Sequence, residues 1–271
     1  MPEDQRFYIL TVLYNRKIED IRSIDVFMEF TEKHPDAALI IADNSTDEAV
    51  KAHNAASDLP LTYIDCGGNS GLSRAYNLAL NTIEDREYRV MTADDDTLFE
   101  AEYVENVYAA SKEESNRDRV ICGVVDAGGK WISPRTTGTA NAAASFLLKR
   151  PEPGVYVNRD PINSGMCISG GLIRKTGGYD ERLFLDGVDY LLMYKLRQSG
   201  YGEVLVVPGK ITQEFSGDSA DKESVLRRWE IYRKDFKTYC EITHKSAFYK
   251  YYYLARRALG IRLKLLFKGR R

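Results

Sequence analysis

The chain has 271 residues, 38 of them Lys or Arg and 40 Asp or Glu, for a formal net charge of -2 and a hydrophobic content of 44%. This length buries a substantial core as one large domain, or as one domain with a tail, and the balanced charge gives no reason to expect a nucleic-acid partner. Cys66, Cys122, Cys167 and Cys240 lie far apart without a Cys-x-x-Cys pair, and His34, His53 and His244 lack ligand spacing, which disfavours structural zinc and a disulfide framework. The apolar run Phe7 to Tyr14 is too short and wrongly flanked for a signal peptide or a spanning helix, so the body of the protein is expected in the cytoplasm.

Phe7 to Asn15 (FYILTVLYN), Ala38 to Ser45 (ALIIADNS), Leu61 to Gly67 (LTYIDCG) and Tyr88 to Asp94 are apolar or β-branched runs of strand length. Between the first two, Ile18 to Lys33 carries Ile21, Ile24, Phe27, Met28 and Thr31 at helical spacing, and Ser70 is placed to cap a helix from Gly71 to about Ile83. Strands alternating with helices at this period predict a parallel, doubly wound sheet whose ligand lies beyond the carboxyl ends of the strands. Each strand ends on polar groups: Asn15, Asp43, Gly68 with Asn69, and Asp94 with Asp96. Together they predict one site. Tyr14-Asn15-Arg16-Lys17 after the first strand is neither the glycine-rich dinucleotide turn nor a P-loop, and Leu98 breaks the ligand pattern of a calcium loop.

The fourth strand runs into Asp94, Asp95 and Asp96. Three adjacent carboxylates repel one another unless a cation is bound. In an extended segment side chains two apart point the same way, so Asp94 and Asp96 can converge while Asp95 points elsewhere. Two hard oxygen donors suit Mg²⁺ or Mn²⁺, which fill their remaining positions with water and phosphate. A solvated acidic turn, or a helix N-terminus capped at Asp96, fits the same residues.

Beyond Glu241 the charge is all positive. Wound as a helix, Phe248, Tyr252, Ala255, Leu259, Leu263 and Leu266 form one stripe, with Lys250, Arg257, Lys264, Lys268 and Arg271 roughly opposite. Residues 245–271 can therefore lie on an anionic membrane surface, or pack on their own domain with a basic outer face.

Taken in order, TVLYN, the Asp43 to Ser45 DNS, GGNSGLSRAYN from Gly67 to Asn77, ADDDT, and NSGMCISGGLIRKTGGYDERLFLDGVDYLLMYKLRQSGY from Asn163 to Tyr201 resemble the inverting glycosyltransferases of family 2. The likeness covers nearly all of residues 6 to 240 and is greatest to rhamnosyltransferase-like and galactofuranosyltransferase-like bacterial enzymes of surface polysaccharides. It implies an α/β, GT-A fold: a doubly wound mixed sheet in a single catalytic domain, residues 1–240, followed by a basic helical tail, residues 241–271. The activity it implies is transfer from a UDP- or dTDP-sugar to a hydroxyl of a glycan or lipid-linked glycan, assisted by Mn²⁺ or Mg²⁺.

By the same resemblance Asp43 meets the donor base, Asn15, Gly68, Asn69, Gly71 and Arg74 pack near the nucleotide and its phosphates, Asp94 lies near ribose and metal, and Asp96 binds the metal. Gly67, Gly68 and Arg74 also read as plain turn and surface residues. Asp186 and Asp189 in FLDGVD are the available carboxylates for a general base. Asp186 is favoured because it precedes the helix and can face the cleft, with Asp189 at the first helical turn stabilising that terminus or orienting it. Gln213 stands where many relatives carry a metal-binding His, and its amide oxygen is a weaker ligand. A nucleotidyltransferase would share fold and carboxylates but needs a basic glycine-rich loop after the first strand. A non-catalytic carbohydrate-binding protein would need neither base nor metal.

Overall fold

The structure is a computed structural model that describes residues 5–137, 149–213 and 221–268. Arg6–Leu13 (β1), Ala37–Asp43 (β2), Thr62–Asp65 (β3) and Tyr88–Asp94 (β4) alternate with Ile24–Lys33 (α1), Glu48–Ala55 (α2) and Leu72–Leu80 (α3). Next come Thr97–Phe99 (β5), Ala101–Lys112 (α4), Val120–Ala127 (β6), Lys130–Ser133 (β7), Arg135–Thr136 (β8), Gly154–Tyr156 (β9), Arg159–Asp160 (β10) and Cys167–Ser169 (β11). The chain continues through Gly170–Thr176 (α5), Val188–Gln198 (α6), Val204–Gln213 (β12), Lys222–Ile242 (α7) and Ala247–Lys268 (α8).

Among the described residues ten strands form one sheet in the order β3-β2-β1-β4-β11-β6-β12-β5, with β7 on β6 and β9 on β12. β1 pairs in parallel with β2 and β4, and β2 with β3. β11 runs antiparallel to β4 and β6, which makes the sheet mixed. The parallel half is covered on both faces, which is why β1 and β2 are near-continuous apolar runs instead of alternating ones. One apolar cluster joins Leu10, Tyr76, Val90 and Leu191, and a second joins Phe7, Phe27, Leu39 and Tyr103 on the other face.

Two local expectations change. The helix foreseen over Ile18 to Lys33 is a 3₁₀ turn at Ile18–Asp20 followed by α1. Tertiary hydrogen bonds claim the intervening backbone: Ile18 N donates to Asn54, Arg22 N to the Asp95 carbonyl, and the buried Ser23 hydroxyl bridges Thr97 and Phe99. Ser70 does not cap α3 either. Its amide and hydroxyl both donate to Asn44 Oδ1, and the capping position falls to Gly71 at φ +89°. A Cβ on Gly71 would lie 2.7 Å from the Phe184 ring and 3.0 Å from the Phe184 carbonyl, the oxygen that accepts from Leu72 N. Glycine is required twice, by backbone conformation and by this close approach.

The same Phe184 loop is gripped from the other side. Asp235 on α7 is 0% exposed and accepts from the amides of Phe184, Leu185 and Asp186 at 3.0, 2.8 and 2.8 Å. Arg228, two turns earlier on the same face of α7, holds Asp186 with both Nη atoms, one of them at 2.8 Å. α7 runs on to Ile242, so the helical break at Thr243 to Ser246 falls just past the boundary foreseen at residue 240. Asp235→Ala leaves three partly buried amides unpaired and should cost about 3 kcal/mol or more in urea unfolding, at roughly 1 kcal/mol or more per amide. Asp235→Asn keeps one acceptor oxygen and should lose less. A loss below about 1 kcal/mol for the alanine variant would mean that water replaces the carboxylate.

Candidate active site

Because β1 to β4 are parallel, their carboxyl ends lie on one edge of the sheet, and every strand-end residue singled out above meets there. Asn15, at φ +51°, accepts from the amides of Thr46 and Asp47 at 2.8 and 3.0 Å and thereby ties down the loop after β2. Asp43 is 0% exposed and accepts from Ser45 N at 2.9 Å, Asn54 Nδ2 at 2.8 Å and the Tyr63 hydroxyl at 3.1 Å. Both residues order loops first. Asn44 donates to Asn69 Oδ1 at 3.2 Å, linking the end of β2 to the loop before α3. Gly68, at φ +98° with open space around its Cα, leaves backbone accessible to a ligand, and Arg74 is exposed in the first turn of α3.

The acidic run does not continue as a strand. β4 ends at Asp94, and Asp95 and Asp96 form the turn into β5, so the two-residue alternation does not set their directions. Asp95 is drawn aside for a different reason: Arg16 Nε lies 3.4 Å from its carboxylate, and Arg16 Nη1 donates to its carbonyl at 3.0 Å. Burial, reinforced by Asp96, Asp95 and Asp189, pushes the Asp94 carboxyl up to about 7. Burial also raises Asp95 to about 6, offset in part by Arg16. Gln213, at the end of β12, donates Nε2 to Asp94 Oδ2 at 3.1 Å.

The donor chemistry fits a hard divalent cation that keeps water and phosphate ligands: clustered carboxylates, with a desolvated Asp94 that a positive charge would ionise. Among the described residues no three His, Cys, Asp or Glu groups form an all-protein metal cage.

Asp186 and Asp189 differ sharply. Asp186 is neutralised by Arg228, which occupies both of its oxygens. Asp189 accepts only from its neighbour, Tyr190 N, at 2.7 Å, and its carboxyl rises to about 6. Burial is the main cause, countered by the Tyr190 amide, with Asp160 raising and Arg135 lowering it. Tyr76 and Tyr179 stack at 4.7 Å between centroids, and both feel the charges of Asp94 and Asp189, which places the two carboxylates in one neighbourhood. The sequence reading missed Arg228 and Asp235. Their spacing of seven residues puts them on one helical face, but nothing in it names a partner loop some 40 to 50 residues upstream.

Residues 9–176 match the family described as Glycosyl transferase family 2, well over half of the chain. The chain belongs to glycosyl transferase family 2. Its mixed sheet, with parallel strand ends carrying the acidic turn, is the GT-A fold. Comparison with curated protein sequences gives no match. Similar solved structures include GalNAc-T7 with UDP, GalNAc and Mn²⁺ (TM-score 0.60, 12% identity, 86% of this chain and 48% of that one). A mannosyltransferase from Pyrobaculum calidifontis, in complex with GDP-Man and Mn²⁺, aligns with TM-score 0.56 and 14% identity over 89% of this chain and 65% of its own. Residues 1–349 of TarS from S. aureus align with TM-score 0.55 and 16% identity over 90% and 74%. At such identities the likeness shows a shared fold. Asp186, Asp189 and Gln213 lie outside the residues matched to the family, so their roles rest on geometry.

The raised carboxyl of Asp94 sets a pH dependence. Its value of about 7 exceeds the ordinary 3.8, so the folded state binds the extra proton and loses stability as pH rises from about 4 to about 7. A cation at Asp94 and Asp96 reverses that penalty and competes with the proton. Mn²⁺ should therefore raise the unfolding temperature at about pH 8 and have little effect at about pH 5.5. Asp96→Ala should remove the shift and Asp95→Ala should weaken it less. Equal Mn²⁺ shifts in wild type and Asp96→Ala would place the cation elsewhere.

Proposed function

We propose that this enzyme moves a sugar from a UDP- or dTDP-linked donor to a hydroxyl of a glycan or lipid-linked glycan, with inversion, in the synthesis of a surface polysaccharide. The observation that carries the reading is Asp189, a buried carboxylate not clamped by a guanidinium as Asp186 is, raised to about 6 and sharing a neighbourhood with Asp94. The donor lies beyond β1 to β4, its diphosphate against the backbone at Gly68 and Gly71, with Asn69 and Arg74 beside it. Asp94, Asp96 and Gln213 hold Mn²⁺ or Mg²⁺, which when bound neutralises the charge of the departing diphosphate. Asp189 accepts the proton of the acceptor hydroxyl as that oxygen attacks the anomeric carbon from the face opposite the leaving group. Asp186, clamped by Arg228, positions the loop that delivers Asp189. This reverses the preference for Asp186 as base.

The pyrimidine preference rests on Asp43, whose three donors leave one of roughly four lone-pair sites for a ring imide. Solved relatives hold UDP in one case and GDP-Man in another, so the fold leaves the base open. A donor panel that begins with rhamnosyl and galactofuranosyl nucleotides, read out as hydrolysis, tests the substrate class.

Asp189→Asn should lower turnover roughly a hundredfold or more, the scale of a positioned base, while nucleotide-diphosphate affinity stays unchanged. Asp186→Asn should cost less turnover and more stability. A base must be ionised to act, so wild-type kcat/KM should rise with pH through about 6 and level off above it. A product with retained anomeric configuration, or near-normal turnover in Asp189→Asn, overturns the mechanism.

Peripheral attachment to the inner face of the cell membrane belongs to the same proposal. Among the described residues no helix is long and apolar enough to cross a membrane. α8 packs its other side inward: Leu254 is buried, Arg257 lies 3.5 Å over the Tyr232 ring, and Lys250 pairs with Glu241. The apolar stripe faces outward, with Phe248 81% and Leu266 68% exposed and Tyr252, Leu259 and Leu263 between them. A helix packed for water would show the reverse. Introducing carboxylates into the stripe at Phe248, Leu259 and Leu263 (each →Glu) should abolish cosedimentation with anionic vesicles and leave donor hydrolysis intact. Unchanged cosedimentation would refute membrane attachment.

A further inference from the structure

A cavity of about 520 Å³ opens beside Asp186 and Gly187, walled by α6, the β8 segment and the two C-terminal helices α7 and α8. Its size is that of a small-ligand site. Tyr190, Tyr232, Tyr239 and Tyr249 line it with aromatic rings and hydroxyls, and sugar rings stack on such faces where, as at Tyr190 and Tyr239 among the described residues, no cation lies over the ring. The carboxylates on its wall are already neutralised, Asp160 by Arg197 and Asp186 by Arg228. That leaves Arg135, Lys245 and Arg257 as excess positive charge facing the space. Arg135 has its Nε on the Ile132 carbonyl, and Lys245 and Arg257 lie over the rings of Tyr249 and Tyr232, so all three present cationic edges from fixed supports.

The geometry points to this cavity as the acceptor site, built for a sugar that carries a phosphate: the tyrosines hold the ring, and Arg135, Lys245 and Arg257 take the anion. Three cations on one wall exceed what a neutral sugar needs and suit a group with charge near -2. Its position agrees. Asp186, Gly187 and Tyr190, the chain neighbours of Asp189, line the cavity, which puts the proposed base at its edge. The inference rests on the transferase reading above and adds the class of acceptor. The phosphate has two sources, a substituent on a growing glycan or the link to a lipid carrier, and α8 speaks to the second because it lines the cavity with one face and exposes its apolar stripe with another.

Calorimetry on the full chain, with the donor site saturated by UDP and Mn²⁺, tests this. Glucose 1-phosphate should bind at least about tenfold more tightly than glucose, the scale of one charge-assisted hydrogen bond. Lys245→Gln and Arg135→Gln should each weaken that binding about tenfold, and Lys245→Arg should restore it, with UDP affinity unchanged in all three. An octyl phosphodiester of glucose that binds more tightly than the monoester assigns the lipid carrier as source. Equal binding assigns a phosphate on the glycan. Glucose binding as well as glucose 1-phosphate, no binding of either, or no response to the Lys245 and Arg135 substitutions overturns the acceptor assignment. Hydrolysis of nucleotide sugar by the same protein, with Mn²⁺ and without UDP, would show that the transferase reading survives the loss. Absence of hydrolysis with phosphate binding intact would remove the transferase reading and leave the anion site.

Discussion

Four carboxylates crowd the carboxyl edge of the parallel strands, and their mutual repulsion in a partly buried setting is the constraint that organises the molecule. Burial raises the carboxyls of Asp94, Asp95 and Asp189, and the charges of Asp96, Asp95 and Asp189 add to the rise at Asp94. Arg16 answers for Asp95. Asp94 receives hydrogen bonds from Gln213 and Ser164, and Asp96 from the hydroxyl of Thr97. On the proposed function, a metal and the diphosphate it carries would relieve this tension on binding.

That arrangement depends on bringing together two segments more than a hundred residues apart. The donor loop before α3 and the loop before α6 touch at Gly71 and Phe184, where no side chain fits, and Leu72 hydrogen-bonds across the contact. α7 then fixes the second loop with a buried carboxylate on three amides and a guanidinium on Asp186. Asp186 is thereby committed to an ion pair, whereas Asp189, proposed above as the base, is not. The C-terminal helices are in this sense part of the active site. They orient the carboxylates, wall the neighbouring cavity and turn an apolar stripe outward.

Much of this was legible in the sequence. Apolar runs of strand length separated by helical periodicity specify a parallel sheet because strands covered on both faces must be apolar throughout, and a sheet of that kind gathers its strand ends on one edge. Hence Asn15, Asp43, Gly68, Asn69, Asp94 and Asp96 could be assigned to a single neighbourhood from their positions alone. The stripe on α8 was legible for the same reason, since helical spacing fixes which residues share a face.

Which way a face turns, and which of two acids is free, only the tertiary structure decided. Spacing showed the α8 stripe but not that Arg257 would stack inward on Tyr232 and leave Phe248 in solvent. It favoured Asp186 over Asp189 for its place before the helix, because Arg228, which holds Asp186, lies 42 residues further along the chain. Local order at Ser23 and Ser70 was likewise overruled by hydrogen bonds to Thr97 and Asn44. Periodicity is a property of the local backbone and survives without partners. Charge state and hydrogen-bond commitment belong to pairs of groups, and the pairs exist only once the chain has closed on itself.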